Sequence, residues 1–400
     1  MTAPASRRFR ILSGAALLFL LMLGLVGLNR PPWGDERHVL ETVRSFGKEP
    51  SVDLLKDYNE VTPPLTFLLY AGWGTVFGFE TPVLRLCSLV LSAGTLMLFA
   101  ALLSWNVPDQ RAAAVGFATF ALNPYTVGLS LFVFTDLLMI LCMLAIVSAV
   151  QSENTILILI ASTAGLLTRQ YFVFVLLAGL VFYTLVWMKT RSAHAANSIA
   201  MLLVSTVPLL LLMIVWGGIA PPAGIALWIP PSPSLFHPES ITLYVVLAFV
   251  FLAPVCVLRG KLFRFSRGVH AGLLLLSLSY WLIPVRASDV TVAQTGLKTV
   301  GLFHRTLVAA FHSEAIVQGL LFVCFFLGLH VITFLVRSVV MRWRSGVTDL
   351  QLFLDLTVLL FFVVMPFSYQ VWEKYFLALV PVIGLRLLIQ SQHNPEPLDA

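Results

Sequence analysis

Apolar runs long enough to cross a bilayer recur along the whole 400-residue chain, and they restrict what it can fold into. A helix crosses the hydrocarbon core with about 20 predominantly apolar residues. With 59% hydrophobic and only 11% charged residues, the chain lacks the polar surface that a water-soluble globule requires. We therefore predict an all-α fold, a polytopic transmembrane helical bundle.

Twelve of these runs are predicted to be membrane spans. The first is predicted to be retained, because the run is nearly of spanning length and no small-x-small cleavage site follows it. A further run, 65–79, is short, follows Pro63-Pro64 and contains three glycines, so we predict an interfacial or re-entrant helix. The predicted spans are 11–28, 83–104, 112–130, 134–150, 155–170, 171–188, 197–217, 241–258, 269–284, 315–336, 350–367 and 375–390.

The distribution of basic residues predicts which loops face the cytoplasm. Cytoplasmic loops carry an excess of Lys and Arg. If 65–79 does not cross, the basic loops lie inside, both termini are cytoplasmic, and the loops 30–64 and 218–240 lie outside. If it does cross, three basic clusters fall on the wrong side. The residues concerned are Arg111, Lys189, Arg191, Arg259, Lys261, Arg264, Arg267, Arg337, Arg342 and Arg344.

Several classes of function are disfavoured by what the chain contains. The net charge of +6 is spread over short loops, so no nucleic-acid partner is predicted. All four cysteines lie in apolar runs without CxxC spacing, which predicts neither disulfides nor a zinc site. No Walker loop, GxGxxG fingerprint or GxSxG elbow is present.

The outer loop 30–64 is the most highly charged stretch, and it begins with a pair of acids. Asp35 and Glu36 follow the first span in a Pro-Pro-Trp-Gly turn. A carboxylate partly desolvated there has a raised pKa and can act as a general base, although a solvated pair beside Arg37 is the alternative. Two short amphipathic helices are predicted after it, over 39–46 and 48–60, lying on the bilayer surface and ending near Glu60.

Three more groups of polar residues are predicted to reach the same face. Asp136 opens the fourth span, where an acid faces a partner or cavity, or else forms an N-cap with Thr135. Arg169 and Gln170 end the fifth span, where an arginine can bind a lipid phosphate or simply snorkel. Lys374 precedes the last span and is a second candidate phosphate ligand. Tyr375 begins that span, and an ordinary interfacial aromatic residue is the alternative for it.

Five stretches together resemble a known superfamily: WGDERH, YNEVTPPL, FTDLL, LTRQY and WEKYFLALVP. In this order they resemble the GT-C superfamily of integral membrane glycosyltransferases, which use polyprenyl-phosphate sugars. The set is similar to the dolichyl-phosphate-glucose glucosyltransferases and to the aminoarabinose and protein mannosyl transferase group. The likeness covers residues 1 to about 190, with an echo near 370–381. Thr62 stands where the second group has His, so the sugar is left open.

The resemblance implies a role for five of the candidate residues. Asp35 would be the base, and Glu36 and Asp136 would support the acceptor site. Arg169 and Lys374 would hold the donor phosphate. Apart from the resemblance, Glu60, Gln170 and Tyr375 are also predicted to bind substrate. No cofactor or metal is required, although an acidic trio can bind a divalent cation.

The expected function is transfer of a sugar from a polyprenyl-phosphate donor to a lipid, glycan or protein acceptor, with inversion. The catalytic module would be residues 1–190, followed by helices over 191–390 and a disordered tail over 391–400. The expected location is a bacterial inner or plasma membrane, or the endoplasmic reticulum, with the site on the extracytoplasmic or lumenal face. A polytopic transporter or lipid flippase is the alternative, although such proteins usually show repeated halves and midplane charges.

Overall fold

The computed structural model describes residues 3–229, 236–287, 291–292, 296–368 and 370–389, and within them the chain is helical, with no strand. The N-terminal half contains α1 (Ala3–Gly27), α2 (Glu36–Lys48), α3 (Val52–Lys56), α4 (Leu65–Phe77), α5 (Thr81–Asn106), α6 (Gln110–Ala121), α7 (Pro124–Leu131), α8 (Asp136–Ser152), α9 (Thr155–Thr168) and α10 (Val173–Thr190). The described part of the C-terminal half contains α11 (Ala193–Val204), α12 (Val207–Trp216), α13 (Pro222–Trp228), α14 (Glu239–Val250), α15 (Ala253–Leu258), α16 (Arg267–Ser277), α17 (Leu302–Phe311), α18 (Glu314–Ser345), α19 (Leu350–Val364), α20 (Glu373–Phe376) and α21 (Leu379–Leu388). Short 3-10 turns lie at Gln170–Phe172, Gly260–Phe263, Leu278–Trp281 and Met365–Phe367.

The length and composition of the helices are those of a membrane protein, as predicted. Over the described residues, six helices are long and apolar enough to cross a bilayer. They are α1, α5, α10 with the preceding turn, the continuous pair α11 and α12, α18, and α19 with the following turn. The helical membrane fold is thus confirmed, whereas the count of twelve spans stays a prediction.

Several of the predicted spans are short or broken helices, and proline explains two of the breaks. The predicted span 112–130 is divided into α6 and α7, which meet at an angle of 58°. Asn123 accepts a hydrogen bond from the Tyr125 amide, and Pro124 begins the new helix because it has no amide hydrogen to donate. Pro254 similarly lies at the start of α15. A helix of 14 residues such as α9 is about 21 Å long, less than the roughly 30 Å of hydrocarbon.

The outer loop contains the two short helices that its amphipathic pattern predicts. On α2, Val39, Leu40, Val43 and Phe46 are buried on one face. Ser51 caps α3 by accepting the Leu54 amide hydrogen at 3.0 Å.

Helix α4, which the sequence predicts not to cross, is 13 residues long, or about 20 Å. It packs under the outer loop. The Phe67 ring on α4 stacks on Phe46 of α2 at 6.3 Å between centroids and contacts Tyr58 edge to face at 5.9 Å.

A buried polar cluster fixes the last helix, which follows the segment carrying Lys374. Arg386 on α21 donates from Nε to Asp355 Oδ1 of α19 at 2.6 Å and from Nη2 to Ser338 Oγ of α18 at 2.6 Å. Ser338 in turn donates to Asp355 Oδ2 at 2.5 Å. The three helices are therefore held in one register. The predicted disordered tail, 391–400, lies outside the described residues.

Candidate functional site

A polar cleft of about 130 Å³ brings together segments that are far apart in the sequence. Five of the eight predicted site residues line it: Asp35, Glu60, Arg169, Lys374 and Tyr375. The remaining lining residues are His38, Val39, Val61, Thr62, Phe67, Phe134, Thr135, Trp228, Gln370 and Trp372. We call this space the polar cleft.

Asp35 and Lys374 form an ion pair at the mouth of the polar cleft. Lys374 Nζ lies 3.2 Å from Asp35 Oδ2, and the Asp35 side chain is 60% exposed. Asp35 stands directly before α2 but does not cap it. The Lys374 ammonium lowers the pKa of the Asp35 carboxyl, outweighing the opposing effect of partial burial. The raised pKa expected for Asp35 from desolvation is therefore wrong.

Arg169 and Asp136 form a second, more deeply buried pair. Arg169 Nη2 donates to both oxygens of Asp136, at 3.1 and 2.9 Å. Asp136 is 2% exposed and also accepts a hydrogen bond from the Tyr171 hydroxyl at 3.3 Å. Asp136 thus reaches the site through Arg169 and does not line the polar cleft itself. Thr135 does not cap α8, contrary to the alternative expectation, and its hydroxyl has no partner among the described residues.

The Arg169 guanidinium has N–H groups that make no hydrogen bond to the described residues. Both of its hydrogen bonds to described residues come from Nη2. The buried Nε has no hydrogen-bond partner in the described part of the chain. A guanidinium anchored at one edge by a carboxylate can still present its other N–H groups to an anion.

Glu36 lies away from the polar cleft, in a buried ion pair with Arg85 of α5. Both side chains are 0% exposed, and Arg85 donates from Nε and Nη2 to the two Glu36 oxygens at 2.9 and 2.6 Å. Glu36 also accepts hydrogen bonds from the Val133 and Trp33 amides. Consecutive helical residues point about 100° apart, so Asp35 and Glu36 cannot face one site together. This position supports a structural role for Glu36 and gives no support to the catalytic role expected for it.

Gln170 also has a structural position. Its Nε2 donates to the backbone oxygens of Val61 at 2.6 Å and Ile219 at 3.1 Å. It therefore joins the end of α9 to the outer loop and to the segment after α12. It is not among the residues lining the polar cleft, so its expected role in substrate binding has no support in this geometry.

The segment of chain that carries Glu60 is held in place by two tryptophan side chains and by a close contact with a glycine. The indole N–H groups of Trp216 and Trp228 donate to the backbone oxygens of Leu55 and Asn59 at 3.0 and 2.8 Å. Gly224 of α13 lies against the Glu60 backbone, where an added Cβ would come within 2.2 Å of the carbonyl oxygen. Only glycine permits this approach.

A histidine that the sequence reasoning missed lines the polar cleft beside Glu60. His38 Nδ1 lies 2.5 Å from Glu60 Oε1, and its ring lies 4.7 Å from the Trp228 ring. The Glu60 side chain is 7% exposed and the His38 side chain 30% exposed. His38 lies one helical turn after Asp35, and this i, i+3 spacing was the signal that could have identified it.

The position of Lys374 is set by its neighbours on both sides. Glu373 is fully buried and accepts hydrogen bonds from the Phe303 and His304 amides at the start of α17, at 2.8 and 2.7 Å. It also accepts from the Tyr125 hydroxyl at 2.9 Å. Burial raises the pKa of the Glu373 carboxyl. On the other side, the Tyr375 hydroxyl donates to Gln370 at 3.2 Å.

A second, apolar space adjoins this segment. We call it the apolar groove: it has a volume of about 550 Å³ and runs between the broken pair α6–α7, the broken pair α14–α15 and the start of α17. Tyr125 lines the groove, and its hydroxyl contacts Glu373, the residue before Lys374. The lining residues are Val115, Ala118, Thr119, Leu122, Asn123, Pro124, Tyr125, Val250, Phe251, Pro254, Leu302, Phe303 and Thr306.

The described residues contain no group of three or more His, Cys, Asp or Glu side chains arranged to hold a metal ion. The divalent cation considered from the sequence stays a prediction. Searches with the sequence found no matching protein-family model and no matching curated protein.

Proposed function

We propose that this chain is a membrane glycosyltransferase. It moves a sugar from a polyprenyl-phosphate donor to a hydroxyl of a lipid, glycan or protein acceptor, on the extracytoplasmic or lumenal face. The observation that carries this proposal is the convergence of two cations, each next to a carboxylate, in one polar cleft. Arg169 and Lys374 come from segments far apart in the sequence, and a phosphate is the ligand for which two such cations are suited.

The chemistry follows from this arrangement of charge. The acceptor oxygen forms a bond to the anomeric carbon while the bond from that carbon to the phosphate oxygen breaks. The electron pair of the broken bond goes to the phosphate, and Arg169 and Lys374 stabilise the charge that develops there. The proton of the attacking hydroxyl passes to a base in the polar cleft, and the product inverts. The sequence predicts Asp35 as that base, but its ion pair with Lys374 makes it a weaker proton acceptor.

The GT-C architecture with twelve spans is part of the same proposal. Short helices such as α8 and α9 would cross only together with the irregular segments that follow or precede them. Irregular backbone at membrane depth is tolerated where it is buried in protein or lines a cavity. The segments around Phe134 and Arg169, which line the polar cleft, are consistent with this rule.

The apolar groove supplies a place for the isoprenoid chain of the donor. Tyr125 lines the groove and contacts Glu373, so an isoprenoid chain in the groove would bring its phosphate towards Lys374. Ala118→Trp is expected to fill the groove and raise the KM for a long-chain donor about tenfold, a loss of roughly 1.4 kcal/mol in binding. The KM for a donor with only two isoprene units should not change.

Ala114→Trp is the matched control for this prediction, because Ala114 lies one turn earlier on α6, is exposed and does not line the groove. Initial rates against donor concentration give both KM values. An equal effect of Ala118→Trp on long and short donors would contradict this placement of the chain.

The proposed topology makes a separate prediction. Lys48, on α2, and Arg267, at the start of α16, are both exposed. Cysteines at these positions should react with a membrane-impermeant maleimide from opposite sides, Lys48→Cys from outside and Arg267→Cys from inside. Labelling of both from one side would overturn the orientation. The background should lack the native Cys87, Cys142, Cys256 and Cys324.

The function itself is tested by supplying the purified protein with radiolabelled polyprenyl-phosphate sugars and candidate acceptors. We expect release of lipid phosphate together with transfer of the label, and no reaction with a nucleotide sugar. Protein reconstituted in liposomes gives the opposing measurement. Movement of lipid or solute across the bilayer without sugar transfer would identify a transporter or flippase and reject the proposal.

A further inference from the structure

His38 and Glu60 form a dyad in the polar cleft, and its geometry fixes which ring nitrogen can act. An ionised carboxylate only accepts hydrogen bonds, so at 2.5 Å from Glu60 the His38 Nδ1 carries the hydrogen. The lone pair of the neutral ring is then on Nε2. Among the described residues Nε2 has no hydrogen-bond partner. The dyad therefore has one anchored nitrogen and one open to a ligand.

The dyad is held firmly enough to act as a unit. Glu60 is almost fully buried and its backbone is packed against Gly224. The ring of His38 lies against Trp228, whose indole donates to the Asn59 oxygen. A base oriented by a carboxylate and packed on one face is the arrangement expected for a positioned proton acceptor.

Besides Glu60, the charged or titratable groups that line the cleft with His38 are two cations, the Asp35 carboxylate and the Tyr375 hydroxyl. Lys374 and Arg169 line the same cleft, and Asp35 lies one turn earlier on the same helix. Lys374 is paired with Asp35 and Arg169 with Asp136, so neither cation can take a proton from a substrate. Asp35 is ionised, but the attraction of Lys374 opposes its protonation. His38 Nε2 is thus an acceptor in the cleft that has neither a hydrogen-bond nor an ion-pair partner among the described residues.

We propose that His38 is the general base of the reaction, accepting through Nε2 the proton of the attacking acceptor hydroxyl, with Glu60 as its positioning residue. This inference rests on the proposed function. In the step, the acceptor oxygen bonds to the anomeric carbon, the carbon–oxygen bond to the phosphate breaks, and the proton moves to Nε2. Glu60 stabilises the imidazolium that forms. Asp35 is left with the role of holding Lys374 at the phosphate.

The test compares His38→Ala, His38→Gln, Glu60→Gln and Asp35→Asn in the purified full-length protein. For both His38 variants, kcat should fall by about a hundredfold or more, the usual contribution of a general base. The wild-type rate should fall as the pH is lowered, because a protonated imidazole cannot accept the proton of the acceptor hydroxyl. That limb should disappear in His38→Gln. Glu60→Gln should lower kcat less than the His38 variants do. It should change the pH at which the rate falls without abolishing the fall.

Added imidazole provides a readout that a structural role would not move. It should restore part of the kcat of His38→Ala, because the small side chain leaves space beside Trp228, and it should not restore Asp35→Asn. Asp35→Asn should mainly raise the KM for the donor. A pH limb that survives in His38→Gln and disappears in Asp35→Asn would overturn the inference. Absence of any transfer by the wild type would instead reject the proposed function.

Discussion

Glu36→Gln is expected to destabilise the whole protein, by about 3–5 kcal/mol in the free energy of unfolding, although it removes only one charge. The reason is that Arg85 is completely buried and would lose its only carboxylate partner among the described residues. A buried cation facing a neutral amide has neither water nor an opposite charge to stabilise it. Titration of the protein with sodium dodecyl sulfate in mixed micelles measures this change.

The effect should extend to the site, because the ion pair ties three segments together. Arg85 also donates to the backbone oxygen of Gly27 at the end of α1 and to those of Leu28 and Arg30 after it. Glu36 accepts from the Val133 amide, three residues before Asp136. Loosening this junction would displace Asp35 on one side and the Asp136–Arg169 pair on the other.

An exposed ion pair in the same loop is the control. Lys56 and Asp53 are 2.9 Å apart, with side chains 53% and 89% exposed, so Asp53→Asn should leave stability unchanged. The double variant Glu36→Gln/Arg85→Met should be less unstable than the sum of the single variants, because no buried charge stays unpaired. Stability equal to wild type in Glu36→Gln would contradict the structural assignment of Glu36.

The spacing of apolar residues predicted the helices and their buried faces, because both depend on residues close together in the sequence. The helical membrane fold follows from the apolar runs, and the face of α2 follows from the spacing of Val39, Leu40, Val43 and Phe46. The length of each helix does not follow, because a broken pair such as α6–α7 and an unbroken span have similar apolar content. In that pair Asn123-Pro124 was the available signal.

The sequence predicted part of the membership of the site, but not the pairing of its charges. Asp35, Arg169 and Lys374 were all predicted at one face, and all three line the polar cleft. The partner of each charge is set by tertiary packing, which periodicity does not contain. Arg85, the only charge in α5, required a buried partner, and nothing local pointed to Glu36, 49 residues away. Apart from its i, i+3 spacing to Asp35, a single histidine after an acidic pair carries no local signal of its own, so the sequence did not single out His38.

Arg169→Gln is expected to lower kcat by about 10²–10³-fold, the loss typical of removing a group that stabilises charge in the transition state. Arg169 binds Asp136 through Nη2, which leaves its remaining N–H groups for the donor phosphate. Glutamine lacks both the positive charge and the planar, bidentate N–H donors of the guanidinium. Arg169→Lys retains the charge alone, so it should recover only part of the rate, because a point charge cannot make the two parallel hydrogen bonds of a guanidinium.

Arg169→Gln should also change stability, and a double variant of the Arg169–Asp136 pair separates this effect from the effect on kcat. Arg169→Gln leaves Asp136, 2% exposed, as an unpaired buried carboxylate and should reduce stability as well as rate. Arg169→Gln/Asp136→Asn removes both charges, so stability should return towards that of the wild type while kcat stays low. Recovery of kcat together with stability in the double variant would show that Arg169 acts only through folding. Persistent loss of kcat in a stable double variant is what a phosphate-binding arginine requires.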